Sequence, residues 1–205
     1  LMGVGIITTL FCDEGDFIIK SRESIIEPFI DYFRKNKALI ILAFIFIYKI
    51  GDMLAFFMSV PYYLDLEYTK SQIGYMKFIG TWMTLLGSFI GGILLVKYNN
   101  IMKGLFYFGI LQMVSTFGYV ILSWVEPNLI LLCSVGSFES FCSGLGTAVF
   151  ISYIALLTNI KFTGTQYALL SSFVAIPRTI FTSQTGFLVE SIGWESFFIF
   201  CTLIA

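Results

Sequence analysis

The sequence contains no histidine and very little charge. Of its 205 residues, 58% are apolar and only 12% are Asp, Glu, Lys or Arg. Without histidine there is no Ser-His-Asp triad, no HExxH zinc site and no histidine proton relay, so a buried proton carrier must be an Asp or a Glu. A soluble domain carries about 25% charged residues to cover its surface. The shortage of charge therefore predicts a membrane protein.

Motifs for metals, nucleotides and nucleic acids are also missing. The four cysteines lack CxxC spacing, and three of them lie in apolar runs (Cys12, Cys133, Cys142 and Cys201). There is no Walker A sequence, and the net charge of −1 comes without a basic run that would follow a phosphate backbone. We therefore expect no metal, no cofactor and no nucleic-acid partner. A membrane-embedded acyltransferase would need a histidine or an acid pair near the interface, so the sequence also argues against an enzyme.

Long apolar runs make up most of what is present. A helix needs about 20 such residues to cross the hydrocarbon, and the predicted complete spans are Ala38–Val60, Gly74–Val96, Gly104–Val125, Leu129–Leu157 and Tyr167–Val189. Leu1–Phe11 and Phe197–Ala205 are shorter runs at the two ends. The expected fold is an all-α membrane protein, a helical bundle with about five complete transmembrane helices and two truncated ones. Both ends suggest a piece of a longer protein.

The connections between the spans predict an orientation. Segment 12–37 is long and charged, and its residues Phe29–Lys35 would form an amphipathic helix along the membrane surface. Together with 97–103 and 158–166 it carries eight Lys and Arg residues, whereas the loops of the opposite side carry only Lys70. Because basic residues favour the cytoplasmic side, this set of loops is predicted to be cytoplasmic.

A GxxxG pattern at Gly87 and Gly91 predicts a close approach of two helix backbones. We expect this contact to lie within one bundle. A dimer interface is the alternative.

Charged residues inside the spans are the strongest functional signal, because each costs at least about 2.5–3.5 kcal/mol at the bilayer centre. Four of them lie near the middle of their spans: Lys49, Asp52, Glu139 and Arg178. Lys77 lies closer to a loop, from which it could extend to the interface, and we expect it to have a structural or interfacial role. Pro177, directly before Arg178, predicts a kink in that span.

Polar side chains accompany these charges. Lys49 and Asp52 share one helix face because they are three residues apart. Gln112 and Ser115 form a milder polar pair on the third span, and Ser143 follows Glu139 in a stripe of small and polar residues on the fourth. The predicted substrate and proton pathway is Lys49, Asp52, Glu139, Arg178, Gln112 and Ser143. Secondary transporters place their sites near the midplane, which favours this interpretation. The alternative is that the charges neutralise one another and only fix the helix register.

Several short motifs resemble one family over positions from about 29 to 200. They are YKIGD at 48–52, DYFR at 31–34, FGILQ at 108–112, CSGLGTA at 142–148, FTGTQYALLSS at 162–172, PR at 177–178 and GW at 193–194. Their order and spacing resemble those of the AmpG-type muropeptide permeases of the major facilitator superfamily, which are related to the acetyl-CoA transporters. One departure is Ser140, where the family usually has Asn after the glutamate.

The resemblance implies a transporter with two six-helix halves joined by a cytoplasmic loop. On that plan, residues 1–11 end the sixth span, 12–37 form the inter-half loop and 38–205 form the C-terminal bundle. The resemblance also implies import of anhydro-muropeptides across the bacterial inner membrane, driven by the proton gradient. Asp52 or Glu139 would carry the proton, while Lys49 and Arg178 would contact anionic groups of the substrate.

The implied partners are the lipid bilayer, a small sugar-peptide substrate, protons and the missing N-terminal half of the same transporter. A permease for another solute such as acetyl-CoA, or an inactive half-transporter fragment, is the alternative.

Overall fold

The computed structural model describes residues 27–34, 37–159 and 163–205, and every regular element in these ranges is an α-helix. The helices are α1 (Glu27–Arg34), α2 (Ala38–Tyr48), α3 (Ile50–Asp65), α4 (Lys70–Tyr98), α5 (Ile101–Trp124), α6 (Leu129–Leu157), α7 (Thr163–Thr182) and α8 (Thr185–Ile204). The predicted all-α class is confirmed. The expected end of a span at 1–11 and most of the 12–37 segment lie outside the described residues.

Five helical segments of the described part are long and apolar enough to cross a membrane: Ala38–Asp65, Lys70–Tyr98, Ile101–Trp124, Leu129–Leu157 and Thr185–Ile204. The first four agree with the predicted spans, although their ends differ. The first span continues through Pro61 to Asp65, and the second begins at Lys70 behind a capping box formed by Thr69 and Gln72. The chain is therefore an all-α, multi-pass membrane protein.

The fifth predicted span, Tyr167–Val189, is wrong as a continuous helix. The chain leaves helical structure between α7 and α8, and α8 then runs across the end of this predicted span and through most of Phe197–Ala205, which was expected to be a separate truncated helix. Within α8 only Gly193 departs from helical geometry, with φ 78° and ψ 164°. The hydropathy pattern did not predict this break, because the two polar residues at 183–184 barely lower the mean hydropathy of a long apolar window.

The buried apolar residues form two separate clusters, one towards each end of the bundle. We call the cluster next to α1 the linker-side core, because α1 belongs to the charged segment 12–37. It includes Tyr32, Leu42, Leu105, Val149 and Leu170. The far-side core includes Tyr62, Tyr119, Leu132 and Phe198. Helix ends that border 97–103 and 158–166 share the linker-side core, which agrees with the predicted grouping of the loops. Which end faces the cytoplasm stays a prediction.

Helices α4 and α6 pack with their backbones almost in contact. A methyl group at Gly87 would overlap the Phe141 carbonyl oxygen, and one at Gly144 would overlap the Thr84 carbonyl oxygen. Gly91 also faces α6, where a methyl group would lie 3.1 Å from the Ala148 Cβ. The prediction that the GxxxG pattern packs within the bundle is confirmed, since small residues permit this approach.

The short helix α1 is bound to the linker-side end of the bundle. Gln166 Nε2 donates to Asp31 Oδ2 at 2.9 Å, and Asn159 Nδ2 donates to the same oxygen at 3.2 Å. Tyr32 is fully buried, whereas Ile30 and Phe33 on the same helix are about half exposed. The helix predicted at 29–35 is thus present and amphipathic. Its position on a membrane surface stays a prediction.

Candidate functional site

The first span is interrupted near its middle, at Lys49. This residue has φ −106° and ψ 1° and separates α2 from α3. The interruption places Asp52 in the first turn of α3, where the helix dipole favours a negative charge. Broken helices of this kind supply ion and substrate sites in secondary transporters.

Asp52 is the centre of a buried polar cluster. Its Oδ2 accepts a 2.8 Å bond from Lys49 Nζ, and its Oδ1 accepts a 2.9 Å bond from Gln112 Nε2 on α5. Ser143 on α6 is a third donor, with its Oγ 3.4 Å from Oδ2. Lys49, Asp52 and Gln112 are each less than 9% exposed. One carboxylate therefore joins three spans at a point between the two apolar cores.

Gly146 on α6 lies next to this cluster. A methyl group there would be in van der Waals contact with both Lys49 Nζ and Gln112 Oε1, at 3.7 Å, so a larger side chain would crowd these polar groups. Gln112 Oε1 is buried and has no hydrogen-bond partner among the described residues. Such an orphaned acceptor costs free energy, and native proteins keep few of them. Its position beside Asp52 suits a donor group of a ligand.

Glu139 lies on α6, one turn before Ser143, and is 5% exposed. The charges of Asp52, Lys77 and Lys49 all act on its carboxylate, and the Tyr119 side chain lies beside it. The structure thus brings five of the six predicted residues into one region: Lys49, Asp52, Gln112 and Ser143 in mutual contact, with Glu139 close by. The sixth, Arg178, belongs to α7, but its side chain and that of Pro177 lie outside the described residues, so its role stays a prediction.

Two further polar residues lie near this cluster without contacting Asp52. Of the two roles expected for Lys77, its contacts favour the structural one, because its ammonium turns away from the nearest loop and donates to Ser59 Oγ on α3 at 3.1 Å. Helical periodicity could not predict the contact with Ser59, because it shows which residues share a helix face but not which neighbouring helix that face contacts. Ser115, the second member of the polar pair on the third predicted span, donates to the Gln112 backbone carbonyl at 2.8 Å and does not reach Asp52.

A cavity of about 390 Å³ opens onto the ion pair from the linker side. Its lining includes Lys49, Asp52, Thr147, Phe150, Tyr167 and Ser171. The cavity connects α3, α6 and α7, so a small molecule entering there would meet both charges of the pair. Within the described part of the chain, no group of three His, Cys, Asp or Glu side chains is placed to hold a metal ion.

Together the fold and the site define a class: a multi-pass helical membrane protein with ionisable side chains buried in the middle of its spans. Comparison with known proteins identifies the relatives. The chain is 36% identical over 183 residues to a protein of Rickettsia felis named as the transporter AmpG 4. It is 32% identical over 185 residues to the anhydromuropeptide permease of Escherichia coli K12, and 34% identical over 180 residues to the protein named AmpG 1 in Rickettsia prowazekii.

These alignments cover most of the chain but less than half of each relative. They include 89%, 89% and 84% of this chain, and 44%, 38% and 40% of the R. felis, E. coli and R. prowazekii proteins, respectively. No family model matches the chain. The resemblance to AmpG-type permeases that the motifs predicted is confirmed, and the names of the relatives point to transport rather than to an enzymatic role.

Proposed function

We propose that the protein containing this sequence is a proton-coupled secondary transporter that imports anhydro-muropeptides across a bacterial inner membrane. Residues 38–205 would form the C-terminal bundle of a major-facilitator fold, and segment 12–37 a cytoplasmic loop between halves. The observation that carries the proposal is the Asp52 carboxylate, held between Lys49, Gln112 and Ser143 at a helix break. The chain spans about 40% of the relatives' length, which supports an N-terminal half as the partner.

The ion pair offers a simple route to coupling. When Asp52 is ionised, it neutralises Lys49 at 2.8 Å. When Asp52 takes up a proton, the Lys49 ammonium loses its counter-ion inside an apolar bundle, which is costly unless another anion replaces it. A carboxylate of the substrate would provide that anion. Protonation and substrate binding would then favour each other, as symport requires.

The remaining site residues fit supporting roles. Glu139 is a second acid close enough for its charge to act on Asp52 and Lys49, so it would share or relay the proton. Gln112 orients Asp52 and has a free acceptor for the substrate. Arg178 would contribute a further contact to an anionic group from α7.

Transport of this substrate is tested with the native protein reconstituted in lipid vesicles. An inward proton gradient should drive accumulation of a labelled anhydro-muropeptide, and collapse of the gradient should abolish it. Unlabelled anhydro-muropeptide should compete fully, whereas acetyl-CoA should not. Competition by acetyl-CoA alone would assign the protein to the alternative substrate. Absence of any gradient-driven uptake from correctly inserted protein would favour the inactive half-transporter.

A further inference from the structure

Lys77 is a membrane-embedded cation that the Asp52 cluster does not use. It lies two turns into α4, and its ammonium is directed at α3 rather than at the nearest loop. Ser59, the residue that accepts its 3.1 Å hydrogen bond, has no exposed surface. An ammonium has three N–H donors, and Ser59 is the only hydrogen-bond acceptor that the described residues provide for this one. The Lys77 ammonium therefore still has N–H donors that could bind an anionic group.

Two aromatic rings complete the surroundings of this ammonium. Lys77 Nζ lies 4.8 Å from the ring centroid of Phe56 and 5.9 Å from that of Tyr63. Both distances fall within the range in which a ring face attracts a cation. Phe56, Ser59 and Tyr63 recur at helical spacing, so a single face of α3 holds the Lys77 ammonium in place.

The same face of α3 also carries Asp52. Positions 52, 56, 59 and 63 follow the i, i+4, i+7, i+11 pattern of one helical stripe. Seven residues separate Asp52 from Ser59, which corresponds to about 10 Å along the helix axis. The two ammonium groups therefore lie at two levels of one α3 stripe, the first next to Asp52 and the second farther towards the far-side core. Asp52, Ser59 and Tyr63 are buried in this stripe, and Phe56 between them is about half exposed.

Glu139 is the acid associated with this second cation. A methyl group at Gly136 would overlap the Met76 side chain, and one at Gly80 would overlap Ser140 Oγ. Lys77 and Glu139 therefore lie at the same level of the α4–α6 interface, where their charges act on each other. Lys77 donates to Ser59 and not directly to the carboxylate, so the pair is loose compared with Lys49 and Asp52. A loosely held counter-ion is easier to replace by a ligand than one in a tight ion pair.

We propose that Lys77 is a second substrate-binding cation, which binds a carboxylate of the peptide portion while Glu139 balances its charge in the empty site. This inference rests on the proposed function and deepens it. The site selects substrates with two anionic groups, one bound by Lys49 and one reaching Lys77 past the exposed ring of Phe56. A solute with a single anionic group would use only the first of these contacts.

Equilibrium binding to the purified native protein tests the proposal. The ligands are an anhydro-muropeptide and the same molecule with its peptide carboxylates amidated. Lys77→Gln should weaken binding of the carboxylate form by about 10- to 100-fold, as expected for loss of a charged hydrogen bond, and change binding of the amidated form by less than about 2-fold. Lys77→Arg should restore part of the loss. The control Lys70→Gln, on the exposed end of the same helix, should bind both ligands like the wild type.

A second measurement does not depend on the substrate. The thermal midpoints of Lys77→Gln, Glu139→Gln and the double variant form a double-mutant cycle. If the two charges compensate each other, each single change lowers the thermal midpoint, and the double change lowers it by less than the sum of the two single decreases. Additive effects would overturn the charge compensation assigned to Glu139. An equal loss of affinity for both ligand forms would overturn the proposal in favour of a structural role for Lys77. Failure of the wild type to bind either ligand would refute the proposed muropeptide function and the ligand assigned to Lys77, even if the cycle shows coupling.

Discussion

Replacing Asp52 by Asn should destabilise the bundle, and the expected size of the effect can be worked out from its contacts. The carboxylate is the 2.8 Å partner of Lys49, and both side chains are buried. The Asn side chain has nearly the same shape and keeps one acceptor oxygen for a hydrogen bond. What it removes is the negative charge, so the Lys49 ammonium is left without its counter-ion.

Removing one partner of a buried ion pair typically lowers the free energy of unfolding by about 3–5 kcal/mol. Hydrogen bonds between membrane helices are weaker, about 0.6 kcal/mol on average, because the unfolded state in the membrane finds other partners. Since Asn preserves a hydrogen bond and removes only the charge, we expect the free energy of unfolding to fall by about 3 kcal/mol, the lower end of the range for buried ion pairs. Replacing both residues by apolar ones, Lys49→Met with Asp52→Leu, should cost much less, because no charge is then left unpaired.

The assay is reversible unfolding of the purified protein in mixed micelles with increasing SDS, followed by helical circular dichroism. Glu126→Gln, a charge change at an exposed position, is the control and should leave the unfolding free energy unchanged. The reasoning would be refuted if Asp52→Asn were as stable as the wild type. It would equally be refuted if the double apolar variant lost as much stability as the sum of its two single changes.

Three further predictions concern packing, an interhelical bond and orientation. Gly87→Val should lower the thermal midpoint by several degrees, because the valine side chain would overlap the α6 backbone. Gly92→Val is the control and should leave the midpoint unchanged, because no atom lies within 4 Å of a methyl group at that position. Equal midpoints for the two variants would contradict the close packing of α4 and α6. Trp194→Phe removes the 2.8 Å bond from Nε1 to the carboxylate at the end of α3 and should cost about 0.5–1.5 kcal/mol in SDS unfolding. In intact cells, a membrane-impermeant thiol reagent should label a cysteine placed at Lys70 but not one placed at Lys97; the reverse pattern would invert the proposed topology.

Much of the fold could be predicted from the sequence because a membrane span has a simple signature. Four spans follow from apolar length alone, and their ends move by only a few residues when capping is considered, as at Thr69. The break at Lys49 was not predicted, because the average hydropathy of a long window stays high across Lys49, Gly51 and Asp52 and leaves Ala38–Val60 as one span. It is stabilised by tertiary contacts, chiefly those of Asp52 with two other helices.

The residues of the candidate site could be proposed from the sequence, but the contacts among them could not. Charges in the middle of apolar spans are rare enough to mark Lys49, Asp52 and Glu139 from composition alone. Their pairing depends on which helices are neighbours, and that information is absent from any single span. Lys77 shows this limit most clearly, since its distance from the loop suggested an interfacial position while its actual neighbour is Ser59.

The measurement that tests the central claim most directly compares two modes of transport in the Asp52→Asn protein. Vesicles containing the native protein are assayed for accumulation of labelled anhydro-muropeptide under a proton gradient, and for exchange against unlabelled substrate without a gradient. If Asp52 carries the coupled proton, the variant should lose accumulation and retain exchange, while Glu126→Gln retains both. Gradient-driven accumulation at the wild-type rate by Asp52→Asn would contradict the account.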